Sequence, residues 1–253
     1  MSSTATKGAA DSDKQESKTV QLHIQAVSAF DSPLAKGFAL GRPAILLAAL
    51  ASGMSYLVAD PTWALWVSLP ALSLLQMGYV ITTLPAAGSV AVTKSRPGEK
   101  KKKNADPTRP FFVSLFSLIM SLVATPAFYI LFVLFGAPFL NNTLSTLLCA
   151  IHLILLGFFP VFYVRGLHKE SFLAIAGATA PLDETYGALL GAVLGAWLGA
   201  IPIPLDWDRD WQRWPITIVV GMYAGSCLGS LLCGTLLHGK RLASPSTEDE
   251  KEE

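Results

Sequence analysis

Three aspartates alternate along a short segment near the C-terminal end of the chain, at Asp206, Asp208 and Asp210. Carboxylate oxygens are the ligands that Mg²⁺ and Mn²⁺ prefer, so this spacing indicates a divalent-cation site that could handle a phosphoryl group. Arg209 lies between the aspartates and Arg213 follows them, which favours ion pairs that stiffen the segment. A metal site would need further ligands, so we predict internal ion pairing and no bound metal.

The same segment carries three tryptophans, Trp207, Trp211 and Trp214. Tryptophan is enriched at the membrane–water interface, where its ring contacts acyl chains and its indole N–H reaches water. Pro202 and Pro204 come just before and are expected to end the preceding helix, because proline lacks the amide hydrogen that a helix interior needs. The segment is therefore predicted to be a short, rigid turn at a membrane surface.

His152 is a histidine inside a long apolar stretch. Ionisable residues within a membrane are functional candidates. The alternative is a neutral imidazole that hydrogen-bonds to a carbonyl or tyrosine of a neighbouring helix. No nucleotide-binding, zinc-protease or serine-hydrolase motif is found in the sequence, and we predict no catalytic residues and no cofactor.

Two rows of glycines flank the Asp/Trp segment, each with a period of four residues. The first row is Gly187, Gly191, Gly195 and Gly199, and the second is Gly221, Gly225 and Gly229. Small residues allow helix backbones to approach closely in lipid, where no hydrophobic effect drives helices together. Two alternatives follow, namely packing between helices of this chain or a groove that receives a partner helix or a lipid chain.

The elements that must position these residues are predicted from composition. The chain is 52% hydrophobic and only 15% charged, whereas a soluble domain carries about 25% charged residues. Its apolar stretches are about 20 residues long, the length that crosses a bilayer as a helix. We predict an all-α, polytopic membrane protein with six transmembrane helices in a bundle. The predicted spans are 40–58, 62–83, 111–135, 143–164, 184–203 and 215–237.

The charged residues lie mostly outside these spans. We predict a disordered N-terminal tail over 1–38, a six-span domain over 39–237 with a basic linker at 84–110, and a charged tail over 238–253. Seven of the lysines and arginines fall in the linker: Lys94, Arg96, Lys100, Lys101, Lys102, Lys103 and Arg109. Because cytoplasmic loops are enriched in Lys and Arg, both termini and the linker are predicted to be cytosolic and the 206–214 loop lumenal.

The segment GAWLGAIPIPLDWDRDWQRWPI resembles the signature of the phosphatidylinositol-glycan class F (PIG-F) family, which takes part in the synthesis of glycosylphosphatidylinositol (GPI) anchors. The segment LFVLFGAPFL is also similar to that family. The strong resemblance covers about 190–230 and includes these residues: Gly195, Gly199, Pro202, Pro204, Asp206, Trp207, Asp208, Arg209, Trp211, Gln212 and Trp214.

This resemblance implies a multi-pass protein of the endoplasmic reticulum membrane. It implies partners that are membrane-embedded GPI ethanolamine-phosphate transferase catalytic subunits, which this chain would bind and stabilise without catalysis of its own. A second hypothesis is a protein that presents or translocates a lipid of the same pathway, such as phosphatidylethanolamine or a GPI lipid, in the groove between the last two spans. A third is an enzyme that uses the aspartate loop. No nucleic acid is expected as a partner.

Overall fold

The fold is a helical bundle, described by a computed structural model for residues 25–89 and 108–243. Within these residues the chain forms helices and turns, and its only β-type pairing is an isolated bridge between Pro181 and Arg241. The prediction of an all-α protein is confirmed for this part of the chain. The helices are α1 Pro33–Ala59, α2 Pro61–Thr83, α3 Arg109–Leu134, α4 Thr143–Arg165, α5 Lys169–Ala176, α6 Glu184–Ala200 and α7 Ile216–Gly234.

Three of the long helices begin at polar N-cap residues. Ser32 accepts a hydrogen bond from the amide of Ala35, and Asp60 accepts one from the amide of Trp63. In α1 and α2 a proline follows the cap directly, at a position where its missing amide hydrogen costs nothing. Asp183 caps α6 by accepting from the amides of Thr185 and Tyr186. These side chains satisfy amide groups that a helix start leaves without a partner.

Two helices are locally irregular. α3 is interrupted at Ala124, between the segments Arg109–Val123 and Thr125–Leu134, directly before the Thr125-Pro126 pair. α4 contains a π-helical turn over Ile154–Phe158, which the sequence pattern does not predict. Such turns insert an extra residue into a helix and shift the hydrogen bonding of its carbonyl groups.

α4 lies at the centre of the bundle. It contacts α2, α3, α6 and α7, and 83% of the residues in its most apolar window are buried. By contrast, less than a third of the residues are buried in the most apolar windows of α1, α2 and α3. The exposed side chains on these outer helices are large and apolar, as expected for surfaces that face lipid.

The connecting segments gather at two opposite ends of the bundle. At the Asp60 end, Arg213 donates from Nη2 to the carbonyl of Val58 at 2.7 Å. At the Asp183 end, the amide of Phe30 donates to the backbone carbonyl of Thr83, and the amide of Ala87 donates to that of Tyr163.

Within residues 25–89 and 108–243, five helices are long and apolar enough to cross a membrane, namely α1, α2, α3, α4 and α7. The protein is therefore a multi-pass membrane protein. α6 has 17 residues, or roughly 26 Å at about 1.5 Å per residue, and it ends at Ala200 instead of the predicted 203. The number of spans supported by length and composition is therefore five, and the predicted count of six is not confirmed.

The structure corrects the predicted boundaries of the polar flanks. α1 begins at Pro33, seven residues before the predicted 40, and the chain from 25 is ordered against the bundle instead of forming a disordered tail to 38. Val27 donates its amide hydrogen to Asp183 at 3.1 Å. His238, in the segment after α7, lies close to the same N-terminal segment. Its Nε2 is 3.3 Å from Ser28 Oγ. Most of the basic linker, including the 100–103 lysines, lies outside the described residues, as does the end of the charged tail.

Candidate functional site

The two glycine rows face each other in this chain. α6 and α7 run antiparallel, and Gly191, Gly195, Gly221 and Gly225 place backbone against backbone. A Cβ atom on any of these four would lie closer than 3.0 Å to a carbonyl oxygen of the opposite helix. Gly187 and Gly229 form the same kind of contact nearer the Asp183 end, and Gly199 meets the backbone of Thr217. Of the two alternatives for the glycine rows, packing within the chain is the one found.

A groove nevertheless runs along the outer surface of this helix pair. It has a volume of about 720 Å³ and is almost wholly apolar. The glycines form its floor, Leu194 and Leu198 rise on the α6 side, and Leu228 and Leu232 rise on the α7 side. All four leucines are exposed. We call this surface the α6–α7 groove. The glycines cannot receive a partner helix directly, so any partner must contact the leucine walls.

Gln212 organises the turn between α6 and α7, a role that the sequence does not reveal. Its Nε2 donates to the carbonyls of Pro202 at 2.8 Å and Leu205 at 2.9 Å, and its Oε1 accepts from the amide of Arg209 at 2.9 Å. Pro202 and Pro204 lie in the turns that follow α6, as predicted. A buried amide that satisfies three backbone groups fixes the path of the turn.

The three tryptophans of this turn have different environments. Trp207 and Trp211 are both partly exposed, with ring centroids 5.9 Å apart. Trp214 turns into the bundle, where its indole N–H donates to Thr146 Oγ1 at 3.1 Å and its ring lies 6.3 Å from Phe132. The interfacial position predicted for all three stays a prediction for Trp207 and Trp211. Trp214 is instead a link between the turn and α4.

The aspartates of the turn are exposed and do not converge. No group of three or more His, Cys, Asp or Glu side chains within 25–89 and 108–243 is arranged to hold a metal ion. One predicted ion pair is present, between Arg213 and Asp210 at 3.6 Å. Arg209 forms no ion pair with the described residues, so the alternating pattern is not a continuous ladder of charge pairs.

His152 is fully buried and hydrogen-bonded through both ring nitrogens. Nδ1 lies 2.8 Å from the carbonyl oxygen of Leu148, one turn earlier in the same helix. Because a carbonyl can only accept, Nδ1 of a neutral ring carries the proton and Nε2 can only accept. Nε2 lies 3.1 Å from Ser68 Oγ, whose one hydroxyl hydrogen is shared between this nitrogen and the Leu65 carbonyl at 3.0 Å. The structure agrees with a hydrogen-bonded imidazole, although its partners are a carbonyl of its own helix and a serine of α2.

A second buried polar cluster surrounds Arg42, whose side chain is fully inside the bundle. Its Nη1 donates to Gln76 Oε1 at 3.2 Å, its Nη2 lies 3.9 Å from Glu184 Oε1, and its guanidinium stacks on the Tyr79 ring at 4.0 Å. Gln76 in turn donates to the carbonyl of Leu155 at 3.0 Å, in the π-helical turn of α4. The one sequence signal for this cluster is an arginine inside an apolar span.

Asp183 is the second buried charged group that the sequence reasoning does not single out. It is fully buried, pairs with Arg165 at the end of α4, and accepts from Thr185, Tyr186 and the amide of Val27. One carboxylate thus joins α4, α6 and the segment before α1. Both charged clusters lie toward the Asp183 end, away from the Asp/Trp turn.

Known proteins resemble this chain over most of its length. The sequence model of the GPI biosynthesis protein family Pig-F matches residues 42–234. A glycosylphosphatidylinositol anchor biosynthesis protein 11 from Neurospora crassa is 42% identical over 221 residues, which is 86% of this chain and 81% of that protein. The protein of the same name from Aspergillus fumigatus is 36% identical over 262 residues, covering 89% of this chain and 88% of the relative.

A third relative of the same name, from Pyricularia oryzae, is 48% identical over 170 residues, covering 67% of this chain and 64% of that protein. No solved structure matches the chain. The family match includes both glycine rows, the Asp/Trp turn and the helices that carry Arg42 and His152. It confirms the family that the GAWLGAIPIPLDWDRDWQRWPI segment indicates. This chain belongs to the Pig-F family of GPI biosynthesis proteins.

Proposed function

We propose that this protein is a non-catalytic accessory subunit that binds and stabilises the membrane-embedded catalytic subunits of GPI ethanolamine-phosphate transferase. Its family and the names of its relatives place it in GPI-anchor biosynthesis. The observation that carries the more specific proposal is the α6–α7 groove, an apolar surface along a helix pair that stays exposed after the glycines have paired.

The size of the groove suits a transmembrane helix of a partner. One helical turn about 10 Å wide and 5.4 Å long occupies roughly 420 Å³, and the groove offers about 720 Å³. Helices in lipid associate by close packing, and the exposed leucine walls of the groove give a third helix an apolar surface to pack against. The Asp/Trp turn beside the groove would then lie next to the soluble part of the partner.

The membrane arrangement that goes with this proposal has six crossings. α6 starts at the Asp183 end and finishes at the Asp60 end alongside the whole of α7. If α6 crosses together with the turns that extend it, both termini lie on one side, with the basic linker. The positive-inside rule makes that side cytosolic, and the membrane is that of the endoplasmic reticulum.

Ala224 provides the test, because it lies in the groove between Gly221 and Leu228 and is not fully buried. Ala224→Phe is expected to reduce co-purification of the transferase catalytic subunit about tenfold, equivalent to about 1.4 kcal/mol of binding. The measurement is quantitative pull-down of the tagged full chain from mild detergent. Val123→Phe is the matched control, since Val123 is 66% exposed on α3, which packs on α2 and α4.

Unchanged co-purification with Ala224→Phe would contradict partner docking in the groove.

The second candidate is a lipid-presenting protein, which the apolar lining of the groove also favours. It predicts that the purified chain retains phosphatidylethanolamine or a GPI lipid, and that Ala224→Phe removes this lipid while the transferase still co-purifies. Mass spectrometry of the same eluates separates the two candidates.

A further inference from the structure

The buried cluster around Arg42 contains hydrogen-bond donors that the described residues do not satisfy. Arg42 Nη1 donates to Gln76, whereas Nε and Nη2 have no hydrogen-bond partner within 25–89 and 108–243. Nε and Nη2 form one edge of the planar guanidinium, so their N–H groups point to the same side. Because a guanidinium stays charged and a buried donor without a partner is costly, an unpartnered edge of this kind indicates an additional acceptor.

Tyr79 adds a hydroxyl group to the same place. Its side chain is fully buried, and its hydroxyl also has no hydrogen-bond partner among the described residues. The Arg42 guanidinium stacks on the Tyr79 ring, with Cζ 4.0 Å from the ring centroid, and this contact holds the ring in place. Arg42 and Glu184 both act electrostatically on the Tyr79 hydroxyl, so the three polar groups lie around one point.

The carboxylate of Glu184 approaches the unpartnered edge of Arg42 from α6, but it is too far away for a direct hydrogen bond. Its Oε1 lies 3.9 Å from Arg42 Nη2, and direct N–H···O bonds have lengths of about 2.7–3.2 Å. A polar contact longer than about 3.5 Å is the usual place for a bridging water. Glu184 is the first residue of α6 and its side chain is 13% exposed, which gives a small molecule a route to the site.

The charges and the burial of the site restrict what can occupy it. Arg42 is positive and Glu184 is negative, so a bound anion is repelled by the carboxylate and a bound cation by the guanidinium. Arg42 and Tyr79 are fully buried, which leaves room for a small molecule only. A water molecule suits the three groups, because it accepts from the Arg42 edge and from Tyr79 while it donates to Glu184. Buried waters typically make about three hydrogen bonds of this kind.

We propose that a buried water molecule occupies this site and bridges Arg42 and Tyr79 to the Glu184 carboxylate. The bridge connects α1 and α2 to the start of α6. Gln76 extends the network to the π-helical turn of α4, because it accepts from Arg42 and donates to the Leu155 carbonyl. The water thus holds α6, which forms one wall of the α6–α7 groove, at its first residue. The site lies inside the bundle, so it is independent of what occupies the groove.

Tyr79→Phe tests the bridge through the sign of its effect, because it removes the hydroxyl and keeps the ring against Arg42. If a water joins the hydroxyl to the cluster, the variant loses a hydrogen bond. The thermal unfolding midpoint of the full chain in detergent should then fall by about 2–4 °C. If the hydroxyl has no partner, its removal relieves an unfavourable burial and the midpoint rises. An unchanged or raised midpoint would overturn the proposal.

Two other tyrosines calibrate this measurement. Tyr186 donates its hydroxyl hydrogen to the carbonyl of Ile175 at 2.9 Å, so Tyr186→Phe should lower the midpoint by a similar amount. Tyr56 is 61% exposed, and Tyr56→Phe should leave the midpoint unchanged because water replaces any contact of its hydroxyl.

Exchange of the salt separates water from a small anion. The midpoints of the unchanged protein and of Tyr79→Phe are measured in sodium chloride and in sodium gluconate, whose anion is too large for the site. We expect the same difference between the two proteins in both salts. If Tyr79→Phe lowered the midpoint only in chloride, the occupant would be an anion and the assignment of water would be wrong.

A direct readout uses nuclear magnetic resonance of the full chain with isotopically labelled arginine. Rotating-frame transfer from water to the Arg42 Nε–H proton has opposite signs for a bound water and for hydrogen exchange. We expect a dipolar signal at Arg42, assigned by its disappearance in Arg42→Lys and weakened in Tyr79→Phe. Absence of this signal in the unchanged protein would overturn the proposal, because a lowered midpoint would then come from a direct contact between Tyr79 and Glu184.

Discussion

Alanine in place of Gly195 or Gly225 is expected to separate α6 from α7 and to lower the free energy of unfolding of the bundle by about 3 kcal/mol. The new Cβ at either position would lie closer than 3.0 Å to a carbonyl oxygen of the opposite helix. Backbone atoms cannot rotate away as a flexible side chain can, so the whole helix must shift. The thermal unfolding midpoint of the detergent-solubilised protein, followed by size exclusion after heating, measures the effect.

The same substitution at Gly37 or Gly41 is the control. Both lie in α1 with nothing within 4 Å of an added Cβ, and alanine is the better helix former by up to about 1 kcal/mol. The midpoint should therefore stay the same or rise. If Gly195→Ala and Gly41→Ala shifted the midpoint equally, close packing of the two helices would not be what the glycine rows provide.

The second large effect is expected for Asp183→Ala, which should lower the free energy of unfolding by about 3–5 kcal/mol. This change leaves the buried guanidinium of Arg165 without its partner and removes the N-cap of α6. It also releases the amide of Val27 in the segment before α1. The unfolding midpoint in detergent is again the measurement, together with the proteolytic susceptibility of the segment before α1.

Asp31→Ala is a control with the same change of residue. Asp31 pairs with Lys36, and both side chains are largely exposed, so solvent screens the pair and the unfolding midpoint of Asp31→Ala should stay close to that of the unchanged protein. If Asp183→Ala and Asp31→Ala lowered the unfolding midpoint equally, burial of Asp183 would add nothing to the stability of the bundle. Asp183→Asn should fall between them, because it keeps an acceptor for the cap but not the charge that Arg165 needs.

The sequence predicts well those helices whose boundaries are set by composition alone. α2 is expected at 62–83 and is found at Pro61–Thr83, because the Asp60-Pro61 pair and the end of the apolar run fix it locally. The predicted start of α1 is wrong by seven residues, because this boundary is not set by local composition. Arg42 lowers the hydropathy of that stretch, although it is buried against Gln76 and Glu184, which come from helices far along the chain.

The glycine rows show a second kind of limit. Their spacing predicts a flat, closely packed helix face, and that is what α6 and α7 form. It does not specify which helix the face meets, because small residues favour any close neighbour. The pairing within the chain is visible once the two helices are placed, and the groove with leucine walls is a consequence of that pairing.

The contacts of His152 with Ser68 and Tyr223 could not be predicted at all. Ser68, His152 and Tyr223 have no distinctive spacing, and they meet because the described helices α2, α4 and α7 surround one point. His152 is noticed in the sequence for its charge, while its actual role depends on Ser68 in another helix. Polar contacts between distant helices are a property of the fold, and local patterns do not contain them.

The contact between Ser28 and His238 has a consequence for how the chain can be cut and rejoined. The segment before α1 and the segment after α7 lie side by side at the Asp183 end, so a short linker would join them without strain. A circularly permuted chain, opened instead within the basic linker between α2 and α3, would keep every helix neighbour of the native bundle. The halves on either side of that linker could then be tagged at new termini.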